Sequence, residues 1–277
     1  MKKYSLLIAL AMVAVITVSC KNKNTKSTES IGANEEMAES ASVILTDELL
    51  AVLDENGESL LHDLNMFNVA GHIADQLTEK EKLVKPDYLF DPSEVNNLVK
   101  RSQKITALGY LICERPIRIA YGMPLKETDE AIGRLMVELN YSISVNKIED
   151  TPIYDVVKEE YEDYKERGEL PFFWQFNFSI VNDALFLISR NSDIFFRNIT
   201  EDQYKSFINR FISCLKAVSE LAKYDPEIAI AFKAFEENKV YATLEEGMKA
   251  FGSFDGAKQQ LTEARETIAA RRSALLE

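Results

Sequence analysis

From Phe172 to Ile188 the chain is apolar on nearly every side of a helix, through Phe172, Phe173, Trp174, Phe176, Phe178, Ile180, Val181, Leu185, Phe186 and Leu187. A helix apolar all round has to be covered all round, so this segment is expected at the centre of the fold. Asn182 and Asp183 are its polar exceptions. The covering elements must come from the rest of the chain, which reads as helices with one apolar stripe each.

Thr46-Asp47-Glu48 opens a short helix expected to close near Gly57. Leu60, Leu61, Leu64, Phe67, Ala70, Ile73, Ala74 and Leu77 then recur at three- and four-residue steps, the pattern of an amphipathic helix. Asp91-Pro92-Ser93-Glu94 joins a capping aspartate to a proline suited to the first helical position and a glutamate that reaches back. Its helix is expected to run through Leu98, Ile105 and Leu111 to Tyr121, with Pro116 kinking or splitting it and Gly122 and Pro124 ending it. Thr128 is expected to cap a helix carrying Ile132, Leu135, Met136, Leu139 and Ile143 inward.

Ile153 to Arg167 is acidic with a narrow face of Val156, Val157, Tyr161 and Tyr164, stopped by Gly168 and Pro171. Thr200-Glu201-Asp202-Gln203 is another capping box, opening a helix with Tyr204, Phe207, Phe211 and Leu215 inward. Asp225-Pro226-Glu227 repeats the Asp-Pro start, and Thr243-Leu244-Glu245-Glu246 begins a short helix that ends at Gly252. The last helix, from Gly256 to Leu276, is charged with a thin stripe of Leu261, Ala264, Ile268 and Leu275, and is expected to pack late or project.

Two stretches, Leu139 to Val145 and Trp174 to Ile180, alternate with a period of two, but neither meets a hairpin turn and a second alternating run, so both read as helical. No fixed-period repeat is present. The expectation is all-α: a single bundle-like domain of about eight helices over residues 45–277.

Ahead of that domain, Lys2 and Lys3 precede the apolar run from Leu6 to Ile16, and the small residue Ser19 stands directly before Cys20. That layout describes a secretory signal over residues 1–19. Thr17-Val18-Ser19-Cys20 resembles the lipobox of bacterial lipoproteins, and the resemblance implies cleavage before Cys20 and acylation of its thiol and amine. The apolar stretch from Leu6 to Val18 is 13 residues, short of the about 20 that span a hydrocarbon core. Two or more acyl chains would hold the protein stably to a lipid bilayer, at ~0.8 kcal/mol per buried CH₂.

Residues 20–44 read as a flexible tether, because Lys21 to Ser30 is polar, aromatic-free and low in complexity. Bacterial lipoproteins with aspartate after the cysteine tend to stay at the inner membrane, and surface-exposed ones of the Bacteroidetes tend to carry an early acidic cluster. Lys21, with the first acid only at Glu29, implies the periplasmic leaflet of the outer membrane.

The net charge is −13, and loss of Lys2 and Lys3 with the signal takes it to −15. Such a surface repels phosphate backbones, so no nucleic-acid partner is expected. Cys113 and Cys214 lie on apolar helical stretches and are expected to be unpaired and buried, although one disulfide would be chemically permitted in an oxidising compartment.

Catalytic motifs are missing. His62 and His72 are ten positions apart, about 80° around a helix, and share no face; His72 with Asp75 would hold only one corner of a metal site. There is no G-x-S-x-G, no glycine-rich phosphate loop, and no cysteine beside a glycine-rich turn. No cofactor or metal is expected. With 45 acidic residues, carboxylate pairs alone pick out nothing.

Two polar features interrupt apolar surroundings. Glu114 and Arg118, with Arg115 alongside, form either a buried charged site in a cleft or, more commonly, an i,i+4 ion pair bracing the turn around Pro116. Asn182 and Asp183 either line a pocket with Trp174 or, more commonly, bond to loop backbone or face solvent.

Lys104-Ile105-Thr106-Ala107-Leu108-Gly109-Tyr110, with Glu114 and Ile119-Ala120-Tyr121, resembles a helical lipoprotein family of the Bacteroidetes that carries a K-x-x-x-L-G-x-Y-x-x-D-L-x-Y-like stretch. Leu108 and Gly109 match, and Glu114 falls where the family has its aspartate. Tyr110 stands one position early, and Arg115-Pro116 replaces small or apolar residues. The resemblance implies an all-helical fold and an envelope location, and it adds no site.

The expected function is therefore a non-enzymatic, periplasm-facing binding or scaffold protein of the cell envelope, with an envelope protein or small ligand as partner. The alternative is a carboxylate-dependent hydrolase acting on an envelope polymer, which needs two acids about 5–10 Å apart in a cleft. Carbohydrate capture would want exposed aromatic platforms, which one tryptophan does little to supply.

Overall fold

Leu170–Arg190 forms one uninterrupted helix, and every residue from Val181 to Ser189 is buried. The alternating run from Trp174 to Ile180 lies inside it as helix. The computed structural model describes residues 45–64, 68–141, 153–237 and 254–277. The signal, Cys20 and the tether, the helix expected at Thr243 to Gly252, residues 142–145 and the side chains of His62 and Val156 lie outside the described residues.

In chain order the helices are α1 (Asp47–Leu64), α2 (Val69–Gln76), α3 (Arg101–Ala120), α4 (Lys126–Glu138), α5 (Ile153–Glu166), α6 (Leu170–Arg190), α7 (Ser192–Phe195), α8 (Glu201–Leu221), α9 (Pro226–Glu237), α10 (Ala257–Glu263) and α11 (Arg265–Ala274). Short 3₁₀ turns at Glu81–Leu83 and Pro92–Asn97 join α2 to α3. The described residues are all-helical and pack as a single domain around α6, which α3, α8, α11, α5 and α2 all touch. None of these helices is long and apolar enough to cross a membrane.

The closest approach in the centre is set by Gly109 on α3. A Cβ there would sit 2.6 Å from the Ser179 Cβ and 3.4 Å from the Phe176 carbonyl oxygen of α6, so any larger residue would have to push the two central helices apart.

Several boundaries differ from expectation. Gly57 does not close the first helix, which continues to Leu64. A mid-helix glycine costs about 1 kcal/mol relative to alanine, yet here a Cβ would lie 3.0 Å from the Tyr161 ring of α5. The glycine makes room for that ring, whose hydroxyl donates to Asp54 of α1 at 2.8 Å.

Asp91 caps as expected, accepting from Ser93 N at 2.9 Å, but its turn is 3₁₀ and ends at an extended Leu98. α3 then starts afresh because the Gln103 side chain accepts from the Lys100 and Val99 N–H groups. It runs through Pro116 without splitting. Thr128 does not cap: α4 begins at Lys126, and Thr128 is buried within its first turn. Thr200 and Asp225 do cap, through bonds from Gln203 N and from Glu227 N and Ile228 N.

The charged last helix does not project. It breaks at Ala264 into α10 and α11, and α11 packs on α6 and α9 with Arg271 and Arg272 buried. Cys113 and Cys214 are free and buried.

Candidate functional site: a buried carboxylate and guanidinium cluster

Four charged side chains meet where α11 comes down on α3 and α6. Glu114 and Arg118 stand one turn apart on α3, Asp183 is on α6, and Arg272 is on α11. Glu114 and Asp183 are 0% exposed, Arg118 5% and Arg272 8%.

Arg272 bridges the two carboxylates, its Nη2 donating to Glu114 Oε1 at 2.6 Å and its Nε to Asp183 Oδ1 at 2.6 Å. Arg118 Nη2 donates to Glu114 Oε2 at 3.1 Å and also to the Phe90 carbonyl. The Phe90 N–H donates to both Glu114 oxygens at 2.9 Å. Aromatic rings flank the Arg272 guanidinium, with Tyr110 4.5 Å and Phe186 4.3 Å from its carbon to their centroids. Tyr110 OH donates to the Arg272 carbonyl at 2.9 Å and receives the Asn182 amide at 3.4 Å.

Two carboxylates facing two guanidiniums can make the cluster neutral, but the protein interior still penalises each charge. Burial pushes the Glu114 carboxyl up to about 8, the Asp183 charge adding to it while Arg272, the Phe90 N–H and Arg118 oppose it. Asp183 is raised by burial against the same Arg272. Burial works against the Arg272 charge as well, but Asp183 and Glu114 outweigh it and hold the guanidinium protonated. The Cys113 thiol beside Asp183 is pushed well up by burial and by both carboxylates, which keeps it from serving as a thiolate nucleophile. Asp183 Oδ2 is buried with no nitrogen or oxygen partner among the described residues.

Of the residues singled out from sequence, Glu114, Arg118 and Asp183 come together, and Trp174 stays apart. Trp174 lies nine residues earlier on α6, about 13 Å along the axis at 1.5 Å per residue, packed edge-on against Tyr161 and Phe173. Asp183 neither faces solvent nor bonds to loop backbone, because Arg272 meets it in the core. Arg115 leaves the cluster for Asp129 of α4 at 2.9 Å.

Arg272 is not a candidate on sequence alone, and Tyr110 enters there only through the family resemblance, not as a site residue. A signal for Arg272 exists: it falls four residues after Ile268 and three before Leu275, on the buried stripe itself. An arginine in that register needs a carboxylate inside the fold, and Asp183 in the apolar helix needs a cation.

Other titratable groups lie elsewhere. His72 Nε2 is 2.8 Å from the Phe195 carbonyl oxygen. Among the described residues no group of three or more His, Cys, Asp or Glu is placed to hold a metal ion. Burial pushes Glu160 up to about 7, against the Tyr141 hydroxyl. On the surface, Arg197 Nη2 and Nη1 donate to Glu81 at 2.6 and 2.9 Å, and Thr78 adds its N–H and hydroxyl. Those bonds, Arg197 first, pull Glu81 down to about 2.

Chemically the cluster is closed on itself. Both Glu114 oxygens and one Asp183 oxygen are engaged by the chain's own donors, so the arrangement fixes α3, α6 and α11 relative to one another. No protein-family model, no curated protein and no solved structure matches the chain.

Proposed function

We propose that the chain is a lipid-anchored, non-enzymatic helical protein of the bacterial cell envelope. Cys20 tethers it to the periplasmic leaflet of the outer membrane, and its helical body serves as a binding or scaffold module. The observation that carries this reading is Thr17-Val18-Ser19-Cys20 behind a short apolar run and two lysines. The described residues support it, since the buried charged cluster holds helices together: Glu114 and Asp183 are 0% exposed.

One observation favours the hydrolase alternative. Glu114 keeps its proton up to about 8, as a general acid working near neutral pH does. A general acid must also reach a substrate oxygen, and Glu114 is buried under Phe90, Arg118 and Arg272.

Metabolic labelling with an alkyne fatty acid, followed by membrane fractionation, tests the anchor. The native chain is expected to carry label and sediment with the outer membrane, and Cys20→Ala to lose both. Unlabelled native protein in the soluble fraction would overturn the reading.

A further inference from the structure

Arg272 is held as a protein holds a guanidinium ligand. Its guanidinium carbon lies over two aromatic rings, and two different nitrogens each reach a carboxylate at 2.6 Å. Cation–π contact combined with two charge-assisted hydrogen bonds from different nitrogens favours a guanidinium over a compact ammonium.

The receptor side of this contact is built from other elements. Glu114 is fixed by the Phe90 N–H and Arg118, and Asp183 belongs to the central helix. Asp183 is also hydrogen-bonded by the Cys113 thiol, and its buried Oδ2 has no nitrogen or oxygen partner among the described residues. The helix that delivers Arg272 is held by polar contacts as well as apolar ones. Tyr110 OH donates to the Arg272 carbonyl, Arg265 Nε to the Ser189 carbonyl at 3.0 Å and the Gln103 amide to the Leu276 carbonyl at 2.8 Å. Ile268 and Leu275 are the large apolar anchors.

We infer that Glu114, Asp183, Tyr110 and Phe186 form a guanidinium-binding site whose resident ligand is this chain's own Arg272. α11 is thereby latched by a ligand-like contact. The inference stands whether or not Cys20 is acylated.

Chemical rescue of Arg272→Ala in the full chain tests it. Thermal unfolding is followed with ethylguanidinium or ethylammonium chloride at the same millimolar concentration. Arg272→Ala is expected to gain about 2–4 °C with ethylguanidinium and nothing comparable with ethylammonium. The wild type should respond to neither, and Asp183→Asn/Arg272→Ala should lose the response. If Arg272→Ala does not fold alone, refolding is followed by circular dichroism, and ethylguanidinium alone is expected to restore the helical signal. No response, equal responses to the two salts, an equal shift in the wild type, or a response surviving Asp183→Asn each overturns the inference.

Discussion

Two arginine–carboxylate contacts in this chain share a distance and little else. Arg272 meets Glu114 and Asp183 at 2.6 Å with both carboxylates 0% exposed, while Arg197 meets Glu81 at 2.6 Å with side chains 36% and 30% exposed. In the core, burial wins and the Glu114 carboxyl rises to about 8. On the surface, the hydrogen bonds win and Glu81 falls to about 2. Similar donors at similar distances thus produce shifts of opposite sign, and the difference is first desolvation and then the Asp183 charge beside Glu114.

The largest expected consequence is in the core. Arg272→Ala removes the guanidinium that bonds both buried carboxyl groups, and should cost about 3–5 kcal/mol in urea unfolding at pH 7. A loss below about 1 kcal/mol would put Arg272 in the range of surface pairs and remove the contrast.

The second consequence is a pH slope whose sign differs between the regions. Glu114 and Glu160 are raised from 4.5 to about 8 and about 7, and Asp183 is raised as well. Protons held by these groups in the folded state are released on unfolding, so their contribution is full below the ordinary carboxylate range and fades as pH rises toward 8. Glu81 does the reverse, contributing above the ordinary range and losing that contribution as pH falls toward 2. The melting temperature should therefore fall between pH 5 and 8, and Glu114→Gln should flatten that fall. A melting temperature that climbs across the same window would reverse the assignment of the core carboxyls.

The smallest expected effect belongs to Arg197→Ala, which should leave the melting temperature within about 2 °C of the wild type. A larger drop would make the surface pair structural too.

How far the sequence could be read follows the same division between apolar and polar burial. α6 was legible because its apolar residues surround the helix, and a helix with no polar face can only be central. The caps at Thr200 and Asp225 were legible because capping is a local matter of a few consecutive residues. Gly57 misled because its role lies across space, at the Tyr161 ring, rather than along the chain. Thr128 misled because a hydroxyl suited to capping was used inside a helix whose start lies two residues earlier.

The cluster was half legible. Glu114, Arg118 and Asp183 announced themselves by interrupting apolar runs, but what they meet depends on α11, 89 residues beyond Asp183 in the chain. Its charged composition reads as a solvated helix until Arg272 is placed on the stripe of Ile268 and Leu275. Opposite charges isolated in two apolar stripes are a pairing signal, and one that only the fold resolves.

A double-mutant cycle on Arg272 and Asp183, run beside the same cycle on Arg197 and Glu81, tests the central claim most directly. The core pair is expected to couple by about 2 kcal/mol or more, far above the surface pair. Equal coupling in the two cycles would contradict the account, because it would mean that burial does not set the strength of the Arg272 contact.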